Sequence, residues 1–354
     1  MQKRPVTAAD PEKRPTTDRA LRLGYVPLID CAPIVVAREK GLFEKHGLAV
    51  LTSQEPGWAT VRDKLVHDEL DAAHCLGPLA IAIHHGIGTL ARPMVVPLVL
   101  SANGNAITLS QRIPADIFSQ KKGLLKYLED NHRRDKPLTL ATVHPCSSHH
   151  ELLRLWLQKN QVLGHPALNL ITLPPELMGR NLAHEHIDGF CVGEPWNSAA
   201  LLEGTGWVAA TSLDLARGHP EKVLAVSGAL AEQQPSRIEA LTAALLEACR
   251  FCQEEAHHAE IVDLLACEPG LEKVAHALPY SLSGRLPASD PHPGQTVPDF
   301  HLFHSPGINS PGSETASWLR EALRHSGLLK KGQELAPDEL FQPQRHDQAL
   351  ASLG

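Results

Sequence analysis

Glu55-Pro-Gly-Trp-Ala-Thr-Val-Arg-Asp63 is the stretch around which the chain organises itself. A short apolar run, Leu48 to Leu51, precedes it, and a segment of helical spacing, Val61 to Leu70, follows. A strand that ends in Pro-Gly and runs into a helix leaves the unpaired N–H groups of the first helical turn at a loop tip, beside the positive end of the helix dipole. That arrangement suits a small anion. Trp58 adds a flat ring and one N–H donor at the same place. One reading puts Trp58 and Thr60, with Ala59 between them, on the wall of an anion pocket. The other makes Trp58 a plug at the end of a core.

The strand-then-helix pattern extends in both directions. Leu21 to Val26 alternates and stops at Pro27, as a first strand does, and Asp30 to Lys40 reads as a helix ended by Gly41. Asp71 to Cys75 is a short strand, Pro78 to His85 a helix closed by Gly86, and Met94 to Ser101 a strongly β-type run. After Asn103 the alternation begins again: helix over Ile117 to Asn131, strand over Leu138 to Val143, helix over Glu151 to Leu157, strands over Leu168 to Leu173 and Ile187 to Val192. Repeated βα units predict parallel sheets and an α/β fold. Two rounds predict two lobes with a ligand cleft at the carboxyl ends of their strands. The expected division is a flexible leader, 1–20; a discontinuous lobe I, 21–108 plus 213–354; and lobe II, 109–212. Long helices over Ser236 to Glu255 and Ala256 to Cys267, a Pro/His-rich loop over 287–313 and an amphipathic helix over Glu314 to Ser326 complete lobe I.

Bulk properties narrow the function classes. At 354 residues, 43% hydrophobic and 21% charged, this is the composition of an ordinary globular protein. A formal charge of -7 gives no basic footprint for direct nucleic-acid binding. No apolar run is long enough to span a membrane, and the polar first twenty residues lack the core of a secretory signal, so the expectation is a cytoplasmic protein that does not engage a membrane. Seven scattered cysteines fit reduced thiols. Cys249 and Cys252, three apart on an apolar face, read as core packing and not as a metal site. No glycine-rich phosphate loop and no His-Glu-x-x-His pair occurs, so neither a cofactor nor enzymatic activity is expected.

Six motifs in order carry a family resemblance: Gly57 to Asp63, Gly104-Asn-Ala-Ile-Thr108, Ser148 to Leu157, Val192-Gly-Glu-Pro-Trp-Asn197, His219-Pro-Glu-Lys222 and Asn309-Ser-Pro-Gly-Ser313. Together they resemble the nitrate/bicarbonate-binding proteins of ABC importers, over residues 20 to 330. The resemblance implies a periplasmic-binding-protein-like (type II) fold, two α/β lobes with a hinge and an inter-lobe ligand cleft. Joined to the missing export signal, it points to the cytoplasmic nitrate/nitrite sensor branch (NasS type). There the partner is an ANTAR-type RNA-binding antiterminator (NasT type), held inactive until nitrate or nitrite arrives. The alternative is the substrate-binding component of a nitrate or bicarbonate ABC importer; a more remote one, on the same fold, is a thiamine-pyrimidine-synthase-like enzyme, although no two cysteines here are adjacent as in those enzymes.

The resemblance also nominates residues. Lys222 matches the lysine that touches the ligand and would supply the compensating charge for a buried anion. Asn105 stands where importers of this family usually carry a glutamine, one methylene longer. His149, five residues before Arg154, matches a ligand-side histidine. Gly104 and Ala59 would line the cleft. Glu194, a poor ligand for an anion, would orient Lys222 or brace the crossover, and Trp196 leans towards the core.

Overall fold

The computed structural model describes residues 19–290, 292–329 and 339–354. The leader expected over 1–20 lies outside these residues except for its last two positions. In chain order the strands are β1 (Leu21–Tyr25), β2 (Val50–Gln54), β3 (Ala72–Leu76), β4 (Met94–Asn103), β5 (Asn105–Ser110), β6 (Leu138–Thr142) and β7 (Leu168–Thr172). There follow β8 (Gly189–Gly193), β9 (Gly206–Thr211), β10 (Pro220–Ser227), β11 (Arg285–Leu286), β12 (Gln295–Thr296) and β13 (His301–Leu302). One sheet runs β13-β4-β10-β3-β1-β2 and a second runs β7-β6-β8-β5-β9, while β11 and β12 form a separate pair.

Each sheet mixes parallel βα units with antiparallel strands. β1 pairs parallel with β2 and β3, and β6 parallel with β7 and β8. β10 runs antiparallel between β3 and β4, and β5 antiparallel between β8 and β9. Buried on both faces, β4 is apolar over most of its length, as a central strand should be. Pro97 cannot donate to a ladder, and the register of β4 against β10 shifts where it falls, between the pairs Leu98–Leu224 and Val95–Val226. The helix Pro235–Gln253 packs beneath the first sheet through Ile238, Leu241, Leu245 and Ala248, all buried, and Cys249 and Cys252 are buried on the same element.

Several elements differ from their sequence reading. The segment read as one helix over 117–131 is a short 3₁₀ turn, Ala115–Ser119, then a helix, Gly123–Arg133, separated by Lys122 in the left-handed region. A Cβ at Gly123 would lie 1.7 Å from the carbonyl oxygen of Ile117, so the chain turns sharply there. The apolar run after Lys222 is the body of β10, the third strand of the first sheet. The loop expected over 287–313 contains β12 and also β13, which pairs with the end of β4.

The chain crosses between the sheets twice. β4 belongs to the first sheet and β5 to the second, so the first crossing falls at Gly104, ahead of the boundary drawn at 108. Ser212–Ala216, a helix capped by Thr211 and Asp214, leads back to β10. Gly104 has φ +80, and a Cβ there would come within 2.3 Å of the His301 ring. Both facts require glycine. Replacing it adds left-handed strain of about 1–3 kcal/mol before the ring clash is counted. Gly104→Ala should therefore lower the unfolding free energy by at least about 1 kcal/mol in urea titration; unchanged stability would contradict this account of the crossing.

Candidate functional site

Where the two sheets meet, the carboxyl ends of β1, β3 and β8 and the starts of β5 and β10 bring one polar cluster together. Lys222, near the start of β10, is fully buried. Its Nζ donates to Asp30 Oδ2 at 2.6 Å and Glu221 Oε1 at 2.5 Å and lies 5.2 Å from the centre of the Trp58 ring. His74, from β3, tilts against that ring at 5.5 Å and holds Nε2 3.0 Å from Asp30 Oδ1. From the second lobe come Asn105, first residue of β5, and His149, at the start of the helix Ser148–Lys159. Asn105 Nδ2 donates to Glu221 Oε2 at 2.6 Å and sits 3.2 Å from His219 Nε2. His149 Nε2 lies 3.5 Å from Glu221 Oε1, too far for a hydrogen bond.

The electrostatics follow from this packing. Burial alone would raise the Asp30 carboxyl, but Lys222 and His74 outweigh it and hold the group at about 2. Glu221 stays well below the usual carboxylate range for the same reason: Lys222, then His149 and His219, overcome its burial. Lys222 is raised, because its two carboxylates outweigh its desolvation. Burial pushes His149 down to about 4, and His74 is also lowered, chiefly by burial. At neutral pH the cluster thus holds two carboxylates and one ammonium, with His149 and His74 neutral. Lys222 is not the unopposed positive charge the sequence reading expected, because Asp30 and Glu221 already neutralise it.

Several buried atoms here have no hydrogen-bond partner: Trp58 Nε1, Asp30 Oδ1, Asn105 Oδ1 and both ring nitrogens of His74 and of His149. Leaving such groups unpaired costs about 1–3 kcal/mol each, so they mark a place of unmet hydrogen-bonding capacity. Gly193, paired with Asn105 across β5 and β8, locates it. An atom placed at the missing Cβ of Gly193 would lie 3.4 Å from Asn105 Oδ1 and 3.7 Å from both Asp30 Oδ2 and His149 Nε2. Those are ordinary contact distances, so the bare glycine leaves an atom-sized space lined by polar groups.

The remaining nominated residues fall in different places. Trp58 is buried, whereas Ala59 is exposed and Thr60 half-buried, with no recorded bond into the cluster. Asn105 spends its NH₂ on Glu221, so it turns an acceptor and not a donor towards Gly193. Glu194 does not orient Lys222. Its backbone carbonyl accepts from Ile29 N at 2.9 Å and its carboxylate from Ser198 N at 3.1 Å and Ser281 Oγ at 2.8 Å, which ties β8 to elements of the first lobe. Burial raises Glu194, with Ser198 and Ser281 only partly opposing it. Trp196 is buried and lines two inter-lobe pockets of 450 and 210 Å³. Asp30, His74, His219, Glu221 and Gly193 were not nominated as ligand-site residues. The His-Pro-Glu-Lys motif held a signal for two of them, since alternate residues of a strand share a face and Glu221 is adjacent to Lys222.

Residues 14–266 match the NMT1-like family. The chain belongs to that family. Within it the chain falls among the nitrate/bicarbonate substrate-binding proteins of ABC importers. The nitrate import ATP-binding protein NrtC of Synechocystis sp. is 39% identical over 315 residues, 87% of this chain and 46% of that protein. The bicarbonate transport ATP-binding protein CmpC of Synechococcus elongatus is 36% identical over 309 residues, 87% and 45% of the two chains. The nitrate/nitrite binding protein NrtA of Synechococcus elongatus is 30% identical over 319 residues, 86% of this chain and 71% of NrtA. The chain therefore spans a little under half the length of NrtC and CmpC, but most of NrtA. The crystal structure of periplasmic NrtA from Synechocystis PCC 6803 superposes with a TM-score of 0.86 at 23% identity, covering 94% of this chain and 89% of that one. The fold is that of periplasmic binding proteins, and the relatives named as binding proteins place the chain with binding proteins and not with enzymes.

The ion cluster makes the fold depend on Lys222. Removing one partner of a buried charge pair typically costs about 3–5 kcal/mol, because the other charges are left uncompensated. Lys222→Ala should therefore destabilise the protein by about that amount in urea unfolding at pH 7. A loss below about 1 kcal/mol would show that Asp30 and Glu221 find other partners. Both carboxyls are lowered in the folded state, so their stabilisation is present above the normal carboxylate range near pH 4 and disappears as the pH falls towards 2.

Proposed function

We propose that the chain binds nitrate or nitrite, small oxyanions, in the polar cluster around Gly193 and Lys222, and that it does so as the substrate-binding component of an ABC importer. The observation that carries the reading is the unpartnered His149 ring facing a buried inter-lobe space beside Gly193, with the Lys222 ammonium and the Trp58 ring in the adjoining cluster. A flat, delocalised anion needs donors around its edge, a compensating charge and an aromatic plane. The relation to proteins named for nitrate and nitrite binding supports nitrate as the first ligand to test. Since the cluster is closed to solvent, a ligand reaches it only when the lobes part about Gly104 and the 212–219 return. A closed state then gains stability only by the ligand's differential affinity for it.

A second reading keeps the same pocket and gives it a different output: a cytoplasmic sensor that sequesters an RNA-binding antiterminator and releases it on nitrate binding. The higher identity to segments of two ATP-binding proteins than to NrtA supports it, because transporter ATPases work on the cytoplasmic side. Linkage then demands that the partner weaken nitrate binding by the factor by which nitrate weakens partner binding.

Calorimetric titration with nitrate, nitrite and bicarbonate tests the shared part. Gly193→Ala isolates the pocket, since the added methyl group meets only ordinary contacts in extended backbone. Its stability should stay within about 1 kcal/mol of the parent, while nitrate affinity falls at least about tenfold. Undiminished nitrate binding by this variant would place the ligand elsewhere. Recovery of the native protein with the periplasmic fraction favours the importer; recovery from cytosol with an RNA-binding protein that nitrate elutes favours the sensor.

A further inference from the structure

Charge sets a difficulty that the nitrate reading has to meet. Asp30, Glu221 and Lys222 together carry one net negative charge, fully buried. A nitrate placed against Gly193 would add a second within contact distance of the Asp30 carboxylate. Like charges at such a separation repel strongly in a site from which water is excluded. Hydrogen-bond inventory points to the same difficulty. Nitrate and nitrite offer only acceptors, yet the atoms facing the space include two more acceptors, Asn105 Oδ1 and Asp30 Oδ2. The orientation of Asn105 is fixed, because its Nδ2 is committed to Glu221.

One residue of the cluster answers both problems. His149 is buried, its two ring nitrogens have no hydrogen-bond partner, and its Nε2 faces Glu221 at 3.5 Å and the Gly193 space at 3.7 Å. We propose that a small oxyanion enters this site together with one proton, and that His149 holds it. This rests on the reading of the cluster as an anion site. As imidazolium, His149 donates from both nitrogens, one towards the anion or Glu221. It also returns the loaded cluster to the single negative charge of the empty one.

Of the groups facing His149, Glu221 from β10 and Asp30 from the turn after β1 favour its protonation, while Lys222 from β10 and His219 on the approach to it oppose it. On its own helix, Glu151 is engaged by Arg154 at 2.7 Å and by His325 at 3.0 Å, away from the cluster. Burial keeps the free His149 neutral, at about 4. An anion opposes that by favouring the charged ring. Between the free and the bound values, affinity therefore falls as pH rises, because the proton must be taken from solution. His74 and His301 are competing buried imidazoles whose ring nitrogens also have no hydrogen-bond partner. His74, however, lies against Trp58 with Nε2 3.0 Å from Asp30 Oδ1, His301 packs against Gly104, and only His149 is among the atoms nearest the Gly193 space.

The test is calorimetric titration of the full chain with sodium nitrate at pH 7 in phosphate and in Tris, buffers of very different ionisation enthalpy, followed by a pH series from 6 to 8. The proposal expects uptake of about one proton per nitrate and a Kd that rises about tenfold per pH unit. His149→Gln should still fold, bind nitrate more weakly and lose both effects. Nitrate binding with buffer-independent heat and a flat pH series overturns the proposal but leaves the anion site standing. So does a site that takes only bicarbonate without proton uptake, because that ligand carries its own O–H donor. Retention of proton uptake in His149→Gln overturns the assignment to His149. No heat from nitrate, nitrite or bicarbonate in either buffer brings down the anion reading itself.

Discussion

The Lys222 ammonium, held between Asp30 and Glu221 with the Trp58 ring above it, is the interaction on which the site depends. It draws one residue from the turn after β1, two from the start of β10 and one from the helix after β2. Through Glu221 it also reaches Asn105 of the second lobe. A buried ammonium is tolerable only with carboxylates beside it, and buried carboxylates only with the ammonium. The first sheet therefore presents a finished, internally paired scaffold to the cleft, and whatever binds there meets one net negative charge and not a bare cation.

The two lobes meet around that scaffold through a small number of specific contacts. Gly104 carries the chain across with a backbone conformation that other residues rarely adopt, packed against His301. Glu194 fastens β8 to Ile29 and Ser281, so the strand bearing Gly193 is held at a set distance from Asp30. That is why a residue without a side chain matters at position 193: the space it leaves is bounded by atoms from three separate elements. The closed cluster and the two chain crossings fit a binding protein whose lobes separate to admit ligand.

Much of the fold was legible in the sequence because it rests on local patterns. Periodic apolar residues, Pro-Gly junctions and glycine stops mark the βα units, and their repetition gives two lobes. β10 was not legible as a strand, since Val223 to Val226 is buried on both faces and its partners lie more than a hundred residues upstream. The break at Lys122 depends on a close approach to Ile117 that no pattern of side chains reveals. In the site, Trp58, Asn105, His149 and Lys222 lie in one cluster, whereas Ala59 is exposed and Thr60 half-buried. Asp30 and His74 are visible only in the structure. Each is a single polar residue within an apolar strand or helix start, and nothing in its neighbourhood says which distant charge it will meet.

The position of bound nitrate is the most direct test of this site. A crystal structure of the protein grown with nitrate should show a planar anion beside Gly193, within hydrogen-bond distance of His149 and the Trp58 indole N–H, with Lys222 still paired to at least one carboxylate. Nitrate bound at another place, with the Gly193 space and the cluster around it unchanged, would contradict it.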